Sequence, residues 1–350
     1  MSRWGAACGI SLHAELLADG LMRLGYEVEV YAPTLESANR DWHHVVIEGD
    51  APWVKRVYGE VDELEYPGGG FFEAPPADAD VVIVEGYSRL PWLALRPWLA
   101  DAKRRGAAAI LVVHHMLPRD LEPLLEDIDL WDYITVFDDR FAALVERVEP
   151  RASEKTRIIP YPHLVLEAEA VDRPDVGDAA VLFSFGRQPP NEYIDYLRAV
   201  KRLVEKGRRV VYRVVRSADG LEYSAPWLIV ERRRLDAQSL YAALRGSDIH
   251  LIPKWEHPGV VISSTLAQTL YSGVPTIVPD TRYFERVPDA LTDPRGVVVK
   301  YPLGDVKSLV WRLELLLEDE SLRERVSGNA VRYALERSPE KVAAQYARLS

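Results

Sequence analysis

Short apolar, β-branched runs alternate with stretches of helical period along the chain. Ile10, Ala14, Leu17 and Leu21 fall on one helical face, with Ser11 placed to cap that helix and Gly25 to end it. A strand is predicted in YEVEVYAP, and further strands at 80–85, 107–115, 132–138 and 156–162. The unbroken run from Ile110 to Val113 suits a strand covered on both faces. The stretch 163–178 is acidic, carries Pro174 and Gly177 and has no long period; it reads as a linker, centred on 166–178. A second series then begins. Its strands are expected at 180–185, 209–215, 227–231, 248–253, 275–279 and 296–300, and its helices at 190–206, 236–245 and 263–272. Helical stretches at 304–318, 320–335 and 339–348 close the chain. Such alternation predicts parallel sheets with helices on both faces. The expected fold class is therefore α/β: two Rossmann-like domains, 1–165 and 179–335, facing across a cleft, with C-terminal helices. Only Met1, Ser2 and Arg3 precede Trp4 and the loop GAACGIS. The strand that ordinarily leads into such a loop is either missing or lies upstream.

Composition narrows the function. The 350 residues are 48% hydrophobic, enough for two cores. Acids outnumber bases by 54 to 43, a net charge of −11, which argues against a nonspecific nucleic-acid binder. The single cysteine, Cys8, excludes a disulfide framework and a cysteine-ligated zinc. No apolar run is long enough for a membrane helix, and MSRWGAACGIS lacks a signal peptide's apolar stretch, so a cytoplasmic protein is expected. Few Met and Cys with many Arg and Glu fit a heat-stable chain. His43, His44, His250 and His257 lack metal spacing and read as structural, and no metal or cofactor is expected. Lys103, Arg104 and Arg105 read as a solvated helix end, with weak membrane-surface contact as the alternative. Gly68 to Gly70, followed by Phe71 and Phe72, read as a turn or as a mobile loop.

An ordered series of segments carries a resemblance. GAACGISLHAELLADGLMRLGYEVEVYAP, VVHHMLPRD, TRIIPYPHL, LFSFGRQPPNEYIDYLRAVKRL, LDAQSLYAALRGSDIHLIP, TLAQTLYSGVPTIVPD and LEDESLRERVSGNAVRYALERSPEKVAAQYARL follow one another along nearly the whole chain. Together they resemble the retaining glycosyltransferases of the two-Rossmann-domain (GT-B) type, the group of glycogen, sucrose and trehalose synthases. The resemblance implies a donor site in the second domain, an acceptor site in the first, and a last helix (336–350) that packs back on the first domain. It implies transfer of a hexose from an activated donor, by expectation a nucleotide sugar, to a sugar, lipid or small-molecule acceptor. No metal or cofactor is implied.

The residues suit that chemistry. Negative charge grows on the leaving phosphate, and cations or aligned N–H groups must meet it. Gly186 and Arg187 follow a predicted strand end, where Arg187 is placed for this role. The loop from Gly5 to Gly9, ahead of a helix N-terminus, suits close approach to phosphates. His114 and His115 end a buried strand, so pleat alternation turns one toward the cleft; His115 matches the family's histidine slightly better by register. Gly259 and the hydroxyls of Ser263, Ser264 and Thr265 open a predicted helix and are donor-site candidates, with plain capping as the alternative. Two departures stand out. The family's pair of glutamates maps only in part, to Glu256 and Gln268, at a spacing several residues too long. The family's lysine five residues after the arginine is here Glu192. That carboxylate either turns to solvent, or is matched by another cation such as Lys254 or Arg216, or selects an unusual donor. A noncatalytic sugar- or nucleotide-binding relative is the alternative function, and a sugar-nucleotide epimerase of the same architecture a more distant one.

Overall fold

The computed structural model describes residues 1–40, 49–114, 117–217 and 220–349. Its contacts divide the chain into two compact units. Unit 1 holds 1–162, 259–264 and 337–350; unit 2 holds 163–258 and 265–336.

Unit 1 contains α1 (Gly9–Arg23), β1 (Val30–Pro33), α2 (Leu35–Ala38), β2 (Val54–Gly59), β3 (Phe71–Phe72), β4 (Val81–Gly86), α3 (Trp92–Arg104), β5 (Ala108–Val113), α4 (Pro118–Leu125), β6 (Tyr133–Val136), α5 (Asp139–Val148) and β7 (Thr156–Ile158). One sheet runs β1-β2-β3 and another β4-β5-β6-β7, parallel throughout except for the antiparallel β2–β3 pair. The first residues stand between these sheets. Ser2 N–H donates to Tyr31 O on one side (3.0 Å), and Glu85 N–H donates to Met1 O on the other (3.0 Å). Met1 and Ser2 thus bond to both sheets through their backbone. Strand β5 is the centre of the core: Ile110, Leu111, Val112 and Val113 are fully buried, as expected of a strand covered on both faces.

The cap of α1 differs from the expectation. Cys8, not Ser11, is the N-cap, and its sulfur accepts the Ser11 N–H. Ser11 is inside the helix and fully buried. The predicted strand 26–33 forms only from Val30, where backbone pairing begins.

Unit 2 contains β8 (Ala180–Gly186), α6 (Ile194–Glu205), β9 (Val210–Arg216), β10 (Leu228–Arg232), α7 (Ala237–Arg245), β11 (Ile249–Leu251), β12 (Thr276–Pro279), β13 (Val299–Tyr301), α9 (Val306–Glu318) and α10 (Glu320–Leu335); α8 (Ser264–Thr269) begins at the border of the two units. Its sheet is parallel, in the order β10-β9-β8-β11-β12-β13. Tyr196, Tyr212, Leu182, Ile249, Leu309 and Leu313 fill the core between sheet and helices. The acidic stretch read as a linker is held along this unit. Leu164 N–H donates to Ala267 O, Asp172 N–H donates to Ala242 O, and the Asp172 carboxylate pairs with Arg213 at 2.8 Å. Among the described residues, no helix is long and apolar enough to cross a membrane.

The last helix, α11 (Pro339–Tyr346), lies on α1 within unit 1. Gly20 makes this approach feasible: a Cβ there would sit 2.2 Å from Pro339 O. Arg23 bonds Glu340 at 2.7 Å, and the Tyr346 hydroxyl lies 3.1 Å from that of Thr135.

Candidate functional site

In unit 2 the strand order reverses between β8 and β11. Strands β9 and β10 extend from one side of that pair, β12 and β13 from the other. In open parallel sheets the crevice outside the carboxyl ends of such a pair is where ligands bind. The residues that follow those two ends therefore define the candidate site.

After β8 the chain turns at Gly186, whose φ of 126° is accessible to glycine and strained for other residues. A Cβ there would also meet the Gln188 carboxamide at 2.5 Å. Gln188 is buried and accepts the Tyr193 hydroxyl at 3.0 Å. Arg216, a candidate compensating cation, is spent on bracing this turn. It is 2% exposed, donates to Gln188 O at 2.8 Å and lies over the Tyr193 ring at 5.0 Å. Arg187 follows directly.

After β11 comes Lys254. It is half-buried, its ammonium lies 4.9 Å from the Tyr283 ring centroid, and its pKa is lowered by desolvation and by Arg187, against a pull upward from Glu192. Glu192 sits in the 3-10 turn Pro190–Tyr193 that leads from β8 into α6. One oxygen of its carboxyl, Oε2, is buried without a hydrogen-bond partner among the described residues. Burial raises its pKa, while Lys254 and the Trp255 backbone pull it back. The Trp255 indole nitrogen is likewise buried and unpartnered. The fold thus brings Arg187, Lys254 and Glu192 together, and the sequence reading missed Gln188, Trp255 and Tyr283 beside them. Glu256 is exposed and accepts the His257 and Arg282 N–H groups, as a loop cap does.

The other donor candidates are distributed differently. Gly259, Ser263 and Ser264 lie in unit 1, where Gly9 comes close: a Cβ on Gly9 would be 3.1 Å from Ser264 Cβ. Thr265 and Gln268 are in α8, which has only six residues. The glycine loop of unit 1 is satisfied internally. Gly5 N–H donates to Glu15 at 2.9 Å, Ala6 N–H donates to the Ser11 hydroxyl at 3.0 Å, and that hydroxyl donates to Glu15 at 2.6 Å. Two of the amides expected to meet phosphate are therefore already bonded.

His114 closes β5 and is buried. Its Nε2 lies 2.6 Å from one oxygen of Glu85, and Nδ1 of His13 lies 2.8 Å from the other. Burial alone would raise the Glu85 pKa, but the two imidazoles outweigh it and hold the carboxyl at about 2. An ionised carboxylate only accepts, so each facing ring nitrogen carries its proton. The His114 pKa is lowered, chiefly by burial. The three ligand-type atoms lie within 4.8 Å of one another. Hydrogen bonding accounts for both short distances without a metal. His115, the other histidine candidate, lies outside the described residues, as do His43 and His44.

These units have the GT-B fold. The chain is similar to the sucrose-phosphate synthase of Thermosynechococcus elongatus (TM-score 0.64, 14% identity, 97% of this chain and 92% of that one). It is also similar to an E. coli trehalose-6-phosphate synthase bound with UDP-2-fluoro glucose (TM-score 0.59, 12% identity, 78% of this chain and 73% of that one). TarM is a third likeness (TM-score 0.56, 13% identity, 77% of this chain); the chain spans about half, 54%, of its length. No family model matches the chain.

Proposed function

We propose that the protein is a retaining glycosyltransferase that moves a sugar from an activated, phosphate-bearing donor to a hydroxyl acceptor. The observation that carries this reading is the pair of cations, Arg187 and Lys254, at the carboxyl ends of β8 and β11, where the strand order reverses. The likeness to a structure bound with UDP-2-fluoro glucose supports a donor of that general kind. In this reading the C1–O bond to phosphate breaks, and its electron pair passes to the phosphate oxygen. Arg187 and Lys254 meet the charge that grows there. The acceptor oxygen bonds C1 on the same face, and its proton passes to the leaving phosphate. His114, oriented by Glu85, would contact the acceptor or the transferring sugar.

The test is an assay of the full chain with labelled UDP-, GDP- and ADP-sugars and with glycosyl phosphates, scoring both transfer and hydrolysis. Turnover is expected, and Arg187→Ala should lower it about a hundredfold, as loss of a charge contact to a transition state does. Binding without any turnover would favour the noncatalytic alternative. An Arg187→Ala protein that folds and turns over normally would remove Arg187 from the mechanism.

A further inference from the structure

The crevice between the ends of β8 and β11 contains more than cations. Arg187 follows β8 and Lys254 follows β11, and Glu192 stands close enough to Lys254 to oppose the loss of its charge. Glu192 Oε2 and the Trp255 indole nitrogen are both sealed from water, and neither has a partner among the described residues. A buried polar group left unsatisfied is costly, more so when charged. The Trp255 backbone bonds Glu192, so the two residues adjoin, and they offer one unmet acceptor and one unmet donor that hydroxyls of a ligand would complete.

Charge restricts that ligand further. Glu192 offsets part of the positive charge that Arg187, Lys254 and Arg216 bring to the crevice. A leaving group with one phosphate carries about 1.5–2 negative charges at neutral pH. A nucleoside diphosphate carries about one more, and a carboxylate at this position repels it.

Building on the reading that unit 2 holds the donor, we propose that Glu192 is a donor-selecting residue that adapts the crevice to a single-phosphate glycosyl donor. Glu192 and Trp255 bond hydroxyls of the sugar. The donor class is a glycosyl 1-phosphate or a sugar joined to a lipid through one phosphate. The reaction balances without a co-reactant. The glycosyl C1–O bond breaks with its electrons on the phosphate oxygen, the acceptor oxygen bonds C1, and the acceptor's proton ends on that phosphate. The products are a glycoside and inorganic phosphate, or a glycoside and a lipid phosphate.

The test is calorimetric titration of the full chain and of Glu192→Gln with glucose 1-phosphate, farnesyl phosphate, UDP, GDP and ADP. The parent should bind a single-phosphate probe at least tenfold tighter than any diphosphate. Preference for glucose 1-phosphate points to a soluble donor, and preference for farnesyl phosphate to a lipid-linked one. Glu192→Gln should shift preference at least tenfold toward diphosphates relative to the single-phosphate probes. Should Glu192→Gln fail to fold, Glu192→Asp keeps the charge and should keep the parent's preference. A parent that prefers a diphosphate, or a Glu192→Gln protein with unchanged preference, overturns this proposal and leaves glycosyl transfer standing. If no phosphate compound binds either protein, both readings fall.

Discussion

Acidification should loosen unit 2 through one residue, His250. Its ring sits in β11, 1% exposed, against Phe183 and Phe185 at 6.1 and 5.9 Å. Neither ring nitrogen has a partner among the described residues. Burial alone lowers its pKa from 6.5 to about 3. The sign follows from linkage. Between those two values the unfolded chain binds a proton that the folded chain refuses, so stability is fully present above pH 6.5 and is lost as pH falls toward 3. At pH 4.5 the loss is about 3 kcal/mol on this residue's account, at about 1.4 kcal/mol per tenfold change. His250→Phe removes the proton site and keeps a flat ring between its neighbours. At neutral pH it should be close to neutral or stabilising, because two unsatisfied nitrogens disappear. The two units can unfold separately, so a single global midpoint is a poor readout. Hydrogen exchange of peptides covering β8 and β11 reports on the strand itself. Protection in the parent should fall between pH 7 and 4.5, after correction for the intrinsic exchange rate, and far less in His250→Phe. Parallel pH profiles for the two proteins would refute the argument.

Two further predictions concern unit 1. Glu85→Gln removes the charge that both His13 and His114 face, and should destabilise the unit by about 1.5–3 kcal/mol, as loss of hydrogen bonds to a buried charged group does; denaturant unfolding followed by exchange in β4 and β5 would check it, and a loss under 1 kcal/mol would show that the two contacts are not coupled to folding. Gly20→Ala places a methyl 2.2 Å from Pro339 O, so α11 must shift off α1; limited proteolysis should then cut near 337 much faster than in the parent, and unchanged cleavage would contradict the packing.

Much of the fold was legible along the chain, because it depends on local pattern. A parallel strand buried on both faces must be apolar without a break, and 80–85, 180–185 and 209–215 are displaced by only a residue from β4, β8 and β9. Gly186 and Arg187 were also readable, since a turn after a strand needs a residue that tolerates positive φ. What only the tertiary structure decided is which polar groups meet. Glu85 joins His13 across 72 residues and His114 across 29, a pairing that no period encodes. The amides of the glycine loop looked open to phosphate, yet Glu15 and Ser11 fold back onto two of them. That the backbone of Met1 and Ser2 bonds to both sheets of unit 1 is likewise decided by the fold. For Glu192 the residue pattern left open a turn to solvent, a matching cation or an unusual donor. The sheet sets it beside Lys254, whose position depends on β11 lying next to β8, and burial there decides what charge the crevice carries.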